Sequence, residues 1–264
     1  MDYQNYFDEW HSPEMAYIVG FIAADGYVHR KNNALEITLG VKDRDHLEAI
    51  RGLIGSPRPL RELSKYKTVS LRLSSKNLVD RLYDIGITQK KSLTLEWINA
   101  CPDHLIYDMI RGYFDGDGHI GICTGKSLVV EFLGTEHFLA ALVTYCGFGN
   151  PTIKNGSNAH RIRCSGRKAF EFCEKIYYEN AFCLPRKRDV FLRAIVDAPP
   201  KKPKASRFYG VYRVKGSKKN PWGACVAHQR KTHHLGAYPT EIQAARVYND
   251  YVLAQGFKSR LNDL

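Results

Sequence analysis

The chain has 264 residues, 44% hydrophobic and 25% charged, which is enough for a proper core and ordinary for a soluble globular protein. No apolar run reaches the length of a membrane span, and Met1-Asp2-Tyr3-Gln4-Asn5-Tyr6 lacks the basic start and apolar centre of a signal peptide. The net charge of +12 is unevenly placed: residues 201–264 hold 13 Lys/Arg against 3 Asp/Glu, residues 1–200 hold 26 against 24, and the skew points the C-terminal part toward a polyanion.

Ser12-Pro13-Glu14 is a helix start, with an N-cap, a proline at the first helical position and an acid in the first turn. The helix runs to about Ala24 and stops at Asp25-Gly26, followed by the strand-like Tyr27-Val28. Residues 35–41 alternate apolar and polar as a half-buried strand does, 43–53 read as a helix, 68–74 as a second alternating strand and 77–85 as a short helix closed at Gly86. The order then recurs: a helix over 103–116, strands near 120–123 and 128–133, a helix from about 136 to 145, a strand near 158–164 and a helix over 167–178. This predicts an α+β fold of two pseudo-symmetric αββαββα halves, about 1–98 and 99–198, each with helices on one face of an antiparallel sheet.

Pro199-Pro200-Lys201-Lys202-Pro203-Lys204 can be neither helix nor central strand, so 199–205 is expected to be a stiff basic linker. Beyond it, 208–214, 223–228 and 233–237 read as three short strands. Thr240-Glu241-Ile242-Gln243 has capping-box form and opens a helix to Gly256, with Ala244, Tyr248 and Val252 on one face. The seven cysteines are odd in number and never spaced Cys-x-x-Cys, so they are read as reduced, mostly buried residues in an intracellular protein. The expected compartment is the cytoplasm of a prokaryote or phage-infected cell, with an organelle as the alternative.

The two halves share a motif. Ile18-Val19-Gly20-Phe21-Ile22-Ala23-Ala24-Asp25-Gly26 matches Ile110-Arg111-Gly112-Tyr113-Phe114-Asp115-Gly116-Asp117-Gly118, and each copy ends in Asp-Gly. Asp25 precedes Lys91 by 66 positions and Asp117 precedes Lys187 by 70, so acid and lysine recur at nearly constant spacing. Gly20 and Ala24, like Gly112 and Gly116, lie four apart on one helix face, where small residues let two helix backbones approach closely. Such a pairing brings Asp25 and Asp117 together at two helix C-termini, whose partial negative charge adds to the repulsion. A hard divalent cation such as Mg²⁺ answers that repulsion, because it accepts carboxylates, phosphate oxygens and water.

Over roughly residues 12–195 the duplicated motif resembles the LAGLIDADG homing endonucleases in their single-chain, two-motif form. The resemblance implies a monomeric, site-specific double-stranded DNA endonuclease with a long pseudo-symmetric target, cutting across the minor groove to leave short 3′ overhangs. By the same resemblance Asp25 and Asp117 bind the metal ions, with Ala24 and Gly116 completing the metal positions. Asp115 stands where the first copy has Ala23 and is a secondary candidate. Lys91 and Lys187 match the basic residue that family members place near the site, a phosphate contact or plain exposure being the alternative for each, with Lys90 and Arg186 beside them. Arg30, Ser70, Arg72, Arg161 and Arg163 are the expected DNA contacts, the last four on sheet faces turned away from the helices. The alternative is a non-cleaving DNA-binding regulator or an intron-RNA maturase on the same fold.

Residues 206–262 have a resemblance of their own. Tyr209-Gly210-Val211-Tyr212, Trp222-Gly223-Ala224, Leu235-Gly236-Ala237-Tyr238-Pro239-Thr240 and Ala244-Ala245-Arg246-Val247-Tyr248-Asn249 look like the AP2 DNA-binding domain, three strands packed on one helix. The resemblance implies a domain at 206–264 whose sheet lies in the major groove. It places Tyr212, Trp222, His228, Arg230 and His234 at contact positions, with Arg213 adjacent. Trp222 as a core aromatic is the alternative.

Overall fold

A computed structural model describes residues 2–123, 127–148, 154–155, 160–196, 206–228 and 231–264. The chain divides into two compact units, Met1–Ala198 and Pro199–Leu264.

In the first unit, α1 (Pro13–Asp25) starts as the sequence expects: the Ser12 hydroxyl accepts the Met15 amide at 3.1 Å, and Pro13 occupies the first turn. Every residue from Met15 to Ala24 is buried, which a helix apolar all round requires. It leads into β1 (Gly26–His29) and β2 (Ala34–Gly40), then α2 (Arg44–Ile54), β3 (Arg61–Leu63), β4 (Thr68–Ser74), α3 (Lys76–Asp84) and the single turn α4 (Lys91–Thr94). The second half repeats this with α5 (Ile106–Asp117), β5 (His119–Ile122), β6 (Leu128–Gly134), α6 (Glu136–Cys146), β7 (Lys154–Asn155), β8 (His160–Ser165), α7 (Arg167–Ile176) and α8 (Pro185–Val196).

The two sheets have one topology, β1-β2-β4-β3 and β5-β6-β8-β7, antiparallel throughout. Their registers correspond as well: Tyr27, Glu36 and Arg72 stand abreast in the first, His119, Glu131 and Arg163 in the second. A single apolar core spans both halves, with Ile18, Phe21 and Ile22 of α1 and Ile110, Tyr113 and Phe114 of α5 at its centre. Four elements had no residues assigned to them from the sequence: β3, the single turn α4, the two-residue β7 and α8. Short edge strands carry too few residues to show alternation. In α8 the exposed Leu192, Ile195 and Val196 blur the apolar stripe. All seven cysteines are free thiols, with Cys101, Cys146, Cys173 and Cys183 buried.

The second unit is a three-stranded antiparallel sheet, ordered β11-β10-β9, covered by one helix. Its elements are β9 (Val211–Arg213), β10 (Trp222–His228), β11 (Lys231–Tyr238) and α9 (Glu241–Ala254). The Thr240–Gln243 capping box forms in both directions and starts α9. Ala244, Ala245, Tyr248 and Val252 pack on Val211, Ala224 and Val226. The Asn249 side chain bonds both backbone groups of Asn262, and the Asn262 side chain bonds both backbone groups of Tyr209, which ties the C-terminal segment to the start of the sheet. The linker lies outside the described residues.

Candidate active site

The two motif helices meet backbone to backbone, and the contact is reciprocal. A Cβ on Gly20 would lie 1.9 Å from the Met109 carbonyl oxygen, and one on Gly112 would lie 1.9 Å from that of Tyr17. Tyr17 and Met109 each stand three residues before their motif glycine, so both contacts repeat under a two-fold exchange of the halves. Further along, a Cβ on Gly116 would fall 2.3 Å from the Ala24 Cβ and 3.4 Å from Asp25 Oδ2. The Asp25 carboxylate therefore lies against the residue that precedes Asp117.

Asp25 is half-buried and Asp117 is the more exposed of the pair. Burial, and after it the charge of Asp117, raises the Asp25 carboxyl from 3.8 to about 6. Burial also raises Asp117, opposed by Lys91 and then Lys187. Both lysines are buried and cap the motif helices: Lys91 Nζ donates to the Ala24 carbonyl, Lys187 Nζ to those of Phe114, Gly116 and Gly118. Cations suit a helix C-terminus, where carbonyls lack intrahelical partners. Burial nevertheless lowers both ammonium groups, Lys187 to about 8.

Both site acids favour the charged form of each lysine. Of the two site acids, Asp117 acts more strongly on Lys91 and Asp25 on Lys187. A pocket of about 200 Å³ holds Lys91 and Asp117 together, with Tyr113 and Thr135 in its wall. The neighbouring cations point elsewhere: Lys90 is exposed, and Arg186 forms an ion pair with Asp43 at 2.9 Å. Asp115 is not at this site. It is 1% exposed and accepts hydrogen bonds from the hydroxyls of Tyr17 and Tyr177 and the amide of Leu184. Among the described residues no group of three or more His, Cys, Asp or Glu could hold a metal. What the helix ends offer is two carboxylates, with the carbonyls of Ala24 and Gly116 beside them accepting the lysines; this hard oxygen set fits Mg²⁺ if phosphate and water complete it.

The chain matches no protein-family model and no curated protein. Solved structures do match. The LAGLIDADG meganuclease I-CpaMI bound to uncleaved DNA aligns with TM-score 0.50 and 13% identity, over 71% of this chain and 90% of that one. This chain has the LAGLIDADG endonuclease fold. The homing endonuclease I-GzeII in complex with its DNA target follows at TM-score 0.49 and 15% identity, covering 71% and 91% of the two chains. The meganuclease I-AabMI bound to uncleaved DNA aligns at 0.47 and 15%, covering 70% and 90%.

In this LAGLIDADG fold the open sheet faces carry arginine, and two of these arginines are held by acids that the sequence reading passed over. Arg72 pairs with Glu36 at 3.2 Å and Arg161 with Glu131 at 3.6 Å, while Arg163 is exposed on the same face. The repeat could have revealed Glu36 and Glu131, because they occupy equivalent register positions. Ser70 requires a correction: it shares the face of Arg72 but is only 4% exposed, and its hydroxyl donates to Glu36. Arg30 forms an ion pair with Asp80 and lies over the Tyr83 ring. Sequence reasoning also missed Arg111, which is fully buried within the second motif. It bonds Asp108 and the carbonyls of Ile176 and Phe182, and the signal was a charge inside an apolar run.

In the second unit, strand alternation corrects two expected contact positions, Trp222 and His228. Trp222, Ala224, Val226 and His228 share one face of β10, the face under α9. Trp222 packs against the small core there, so the core alternative holds, and Arg213 stacks over its ring at 4.3 Å. His228 stacks on Phe257 with ring centroids 3.8 Å apart. Tyr212 and His234 lie on the opposite, open face and approach each other at 3.4 Å. Tyr212 lies over Gly223, where a Cβ would come within 2.4 Å of the ring. Register places Cys225, Ala227, Thr232 and Ala237 on that open face too, so it is paved with small residues. Arg230 lies outside the described residues.

Proposed function

We propose that the chain is a site-specific double-stranded DNA endonuclease, acting as a monomer on a long pseudo-symmetric site. One observation carries the reading: the reciprocal glycine contacts bring two acids and two buried lysines to one point between two equivalent sheets. Two-fold protein geometry mirrors two-fold geometry in the DNA site, and each half then addresses one strand. The open sheet faces present arginines for phosphates and base edges, with Glu36 and Glu131 holding Arg72 and Arg161 extended.

Asp25 and Asp117, with the carbonyls of Ala24 and Gly116, would hold Mg²⁺. Bound there, the ions supply an activated water and charge stabilisation for the leaving oxygen. The protein's own groups do the rest. The acids place the reaction at the helix ends, between the halves. Lys91 and Lys187 stabilise the charge that develops on the phosphate, each held at the end of a motif helix. Cleavage across the minor groove with short 3′ overhangs accords with two reaction centres this close together. The second unit, read as AP2-like, adds DNA affinity through its basic surface and open sheet face.

Asp25→Asn and Asp117→Asn are the test, on a duplex that the protein itself selects from a randomised pool in Ca²⁺. Each variant should lose double-strand cleavage in Mg²⁺ and keep binding in Ca²⁺. Cleavage of both strands at the parental rate by both variants would place the active site elsewhere.

A further inference from the structure

The two halves match in their acids and lysines but differ in how the lysine is held. We propose that Asp115 is a positioning residue for Lys187, anchoring the start of α8 in the second half alone, so that the two strands are cut under unequal constraint. The inference rests on the endonuclease reading.

The Asp115 carboxylate is buried and accepts three hydrogen bonds. Oδ2 takes the Tyr17 hydroxyl at 2.9 Å and the Leu184 amide at 2.6 Å, and Oδ1 takes the Tyr177 hydroxyl at 2.7 Å. Tyr17 is itself held at 2.9 Å by His46 Nε2, which must be the donor because the phenolic proton goes to Asp115. Burial keeps His46 neutral by lowering it to about 4. The carboxylate therefore joins α1, α5, the end of α7 and the entry to α8.

That entry sets the lysine. The Leu184 carbonyl accepts the amides of Lys187 and Arg188, at 3.0 and 3.3 Å, so Leu184 is the residue from which α8 springs. Pro185 follows at the first helical position, and Lys187 is the third residue of the helix. An amide ahead of the first turn has no partner within the helix, and Asp115 supplies one. From there the Lys187 ammonium reaches the three carbonyls at the end of α5, two residues from Asp115.

Among the described residues the first half has no such device. Ala23 stands in place of Asp115 and offers no side-chain acceptor. Thr88, the equivalent of Leu184, accepts the Lys91 amide at 3.3 Å, and Lys91 opens a helix of only four residues. Its ammonium meets one carbonyl, that of Ala24, against three for Lys187. Misplacement of a reacting group by about 1 Å can slow a reaction on the order of a hundredfold. Loosening α8 should therefore affect one strand.

Asp115→Ala makes the second motif resemble the first and removes the acceptor. Asp115→Asn keeps an acceptor oxygen for Leu184, and the tyrosine hydroxyls can turn to receive the new amide. The experiment uses the full chain and a duplex selected in Ca²⁺, with the strands carrying different labels and cleavage started by Mg²⁺. Asp115→Ala should slow by at least about tenfold the strand that is more sensitive to Lys187→Ala, change the other by less than about threefold, and accumulate nicked duplex. Asp115→Asn should restore most of the loss. Equal slowing of both strands would overturn the proposal. Should Asp115→Ala fail to fold, Tyr177→Phe removes one of the three bonds and should slow the same strand to a smaller degree; equal slowing again refutes. Amide exchange without DNA gives a readout independent of cutting. Residues 184–190 should exchange faster in the variant while 88–94 remain as in the parent, and unchanged exchange at 184–190 refutes the anchor. A parent that cuts neither strand refutes the endonuclease reading, whereas the exchange result still decides whether Asp115 holds α8.

Discussion

At the scale of single residues, the site keeps its charges at a cost to stability. Asp25 is raised to about 6 by burial and by Asp117, so the folded state holds its proton more tightly than the unfolded chain does. Its contribution to stability is therefore full below about 3.8 and is lost as the pH rises through about 6. Asp25→Asn should then stabilise the protein at about pH 7.5, on the order of 1–2 kcal/mol once solvent screening of a half-buried group is allowed for, and leave it unchanged near pH 4. Thermal melts across that range check the sign; equal melting curves at every pH would contradict it. The same substitution removes a proposed metal ligand, so stability and cleavage should move in opposite directions.

At the scale of elements, the close contact of α1 and α5 depends on glycine. With a Cβ at 1.9 Å from a carbonyl oxygen, Gly20→Ala and Gly112→Ala can be accommodated only by separating the helices. Each should cost about 3 kcal/mol or more, and urea titration should show it. Gly52 provides the control. It lies in α2 with nothing within 4 Å of its would-be Cβ. Gly52→Ala should stabilise by about 0.5–1 kcal/mol, since glycine costs that much in a helix interior. The contact was legible in the sequence because the motif repeats and because small residues four apart share a face. The anchoring of α8 was not: the Asp115–Leu184 bond spans 69 residues, and no local pattern announces a buried carboxylate as an acceptor for a distant amide.

At the scale of the whole molecule, the charge divides between the units: residues 201–264 carry most of the excess of +12. A chain ending at 198 retains the continuous core and all four site residues, so it should fold and keep some Mg²⁺-dependent nicking. Against the full chain it should bind DNA more weakly and with a flatter salt dependence, because each phosphate neutralised contributes about 0.9 to the log–log slope. Binding titrations at several salt concentrations check this, on long and on trimmed duplexes. A tail that engages flanking DNA gains from effective concentration, so its removal should matter more on the long one. Equal losses on both would make the tail a diffuse cation.

The sequence by itself determined the duplication, the helix stops at Asp25 and Asp117, the recurring lysines and the boundary near residue 199. These are set by local propensity, apolar period and turn chemistry, which operate within a few residues. Tertiary structure decided the remainder. It buried each lysine against the carbonyls that end the motif helix of its own half, turned Arg186 to Asp43, sank Ser70 beneath Glu36 and made Asp115 a hub instead of a ligand. It also turned Trp222 and His228 under α9, where β10 needed apolar and aromatic surface to cover a small core. Burial and pairing are properties of contacts between segments far apart in the chain, and which of two faces a strand buries depends on what packs against it.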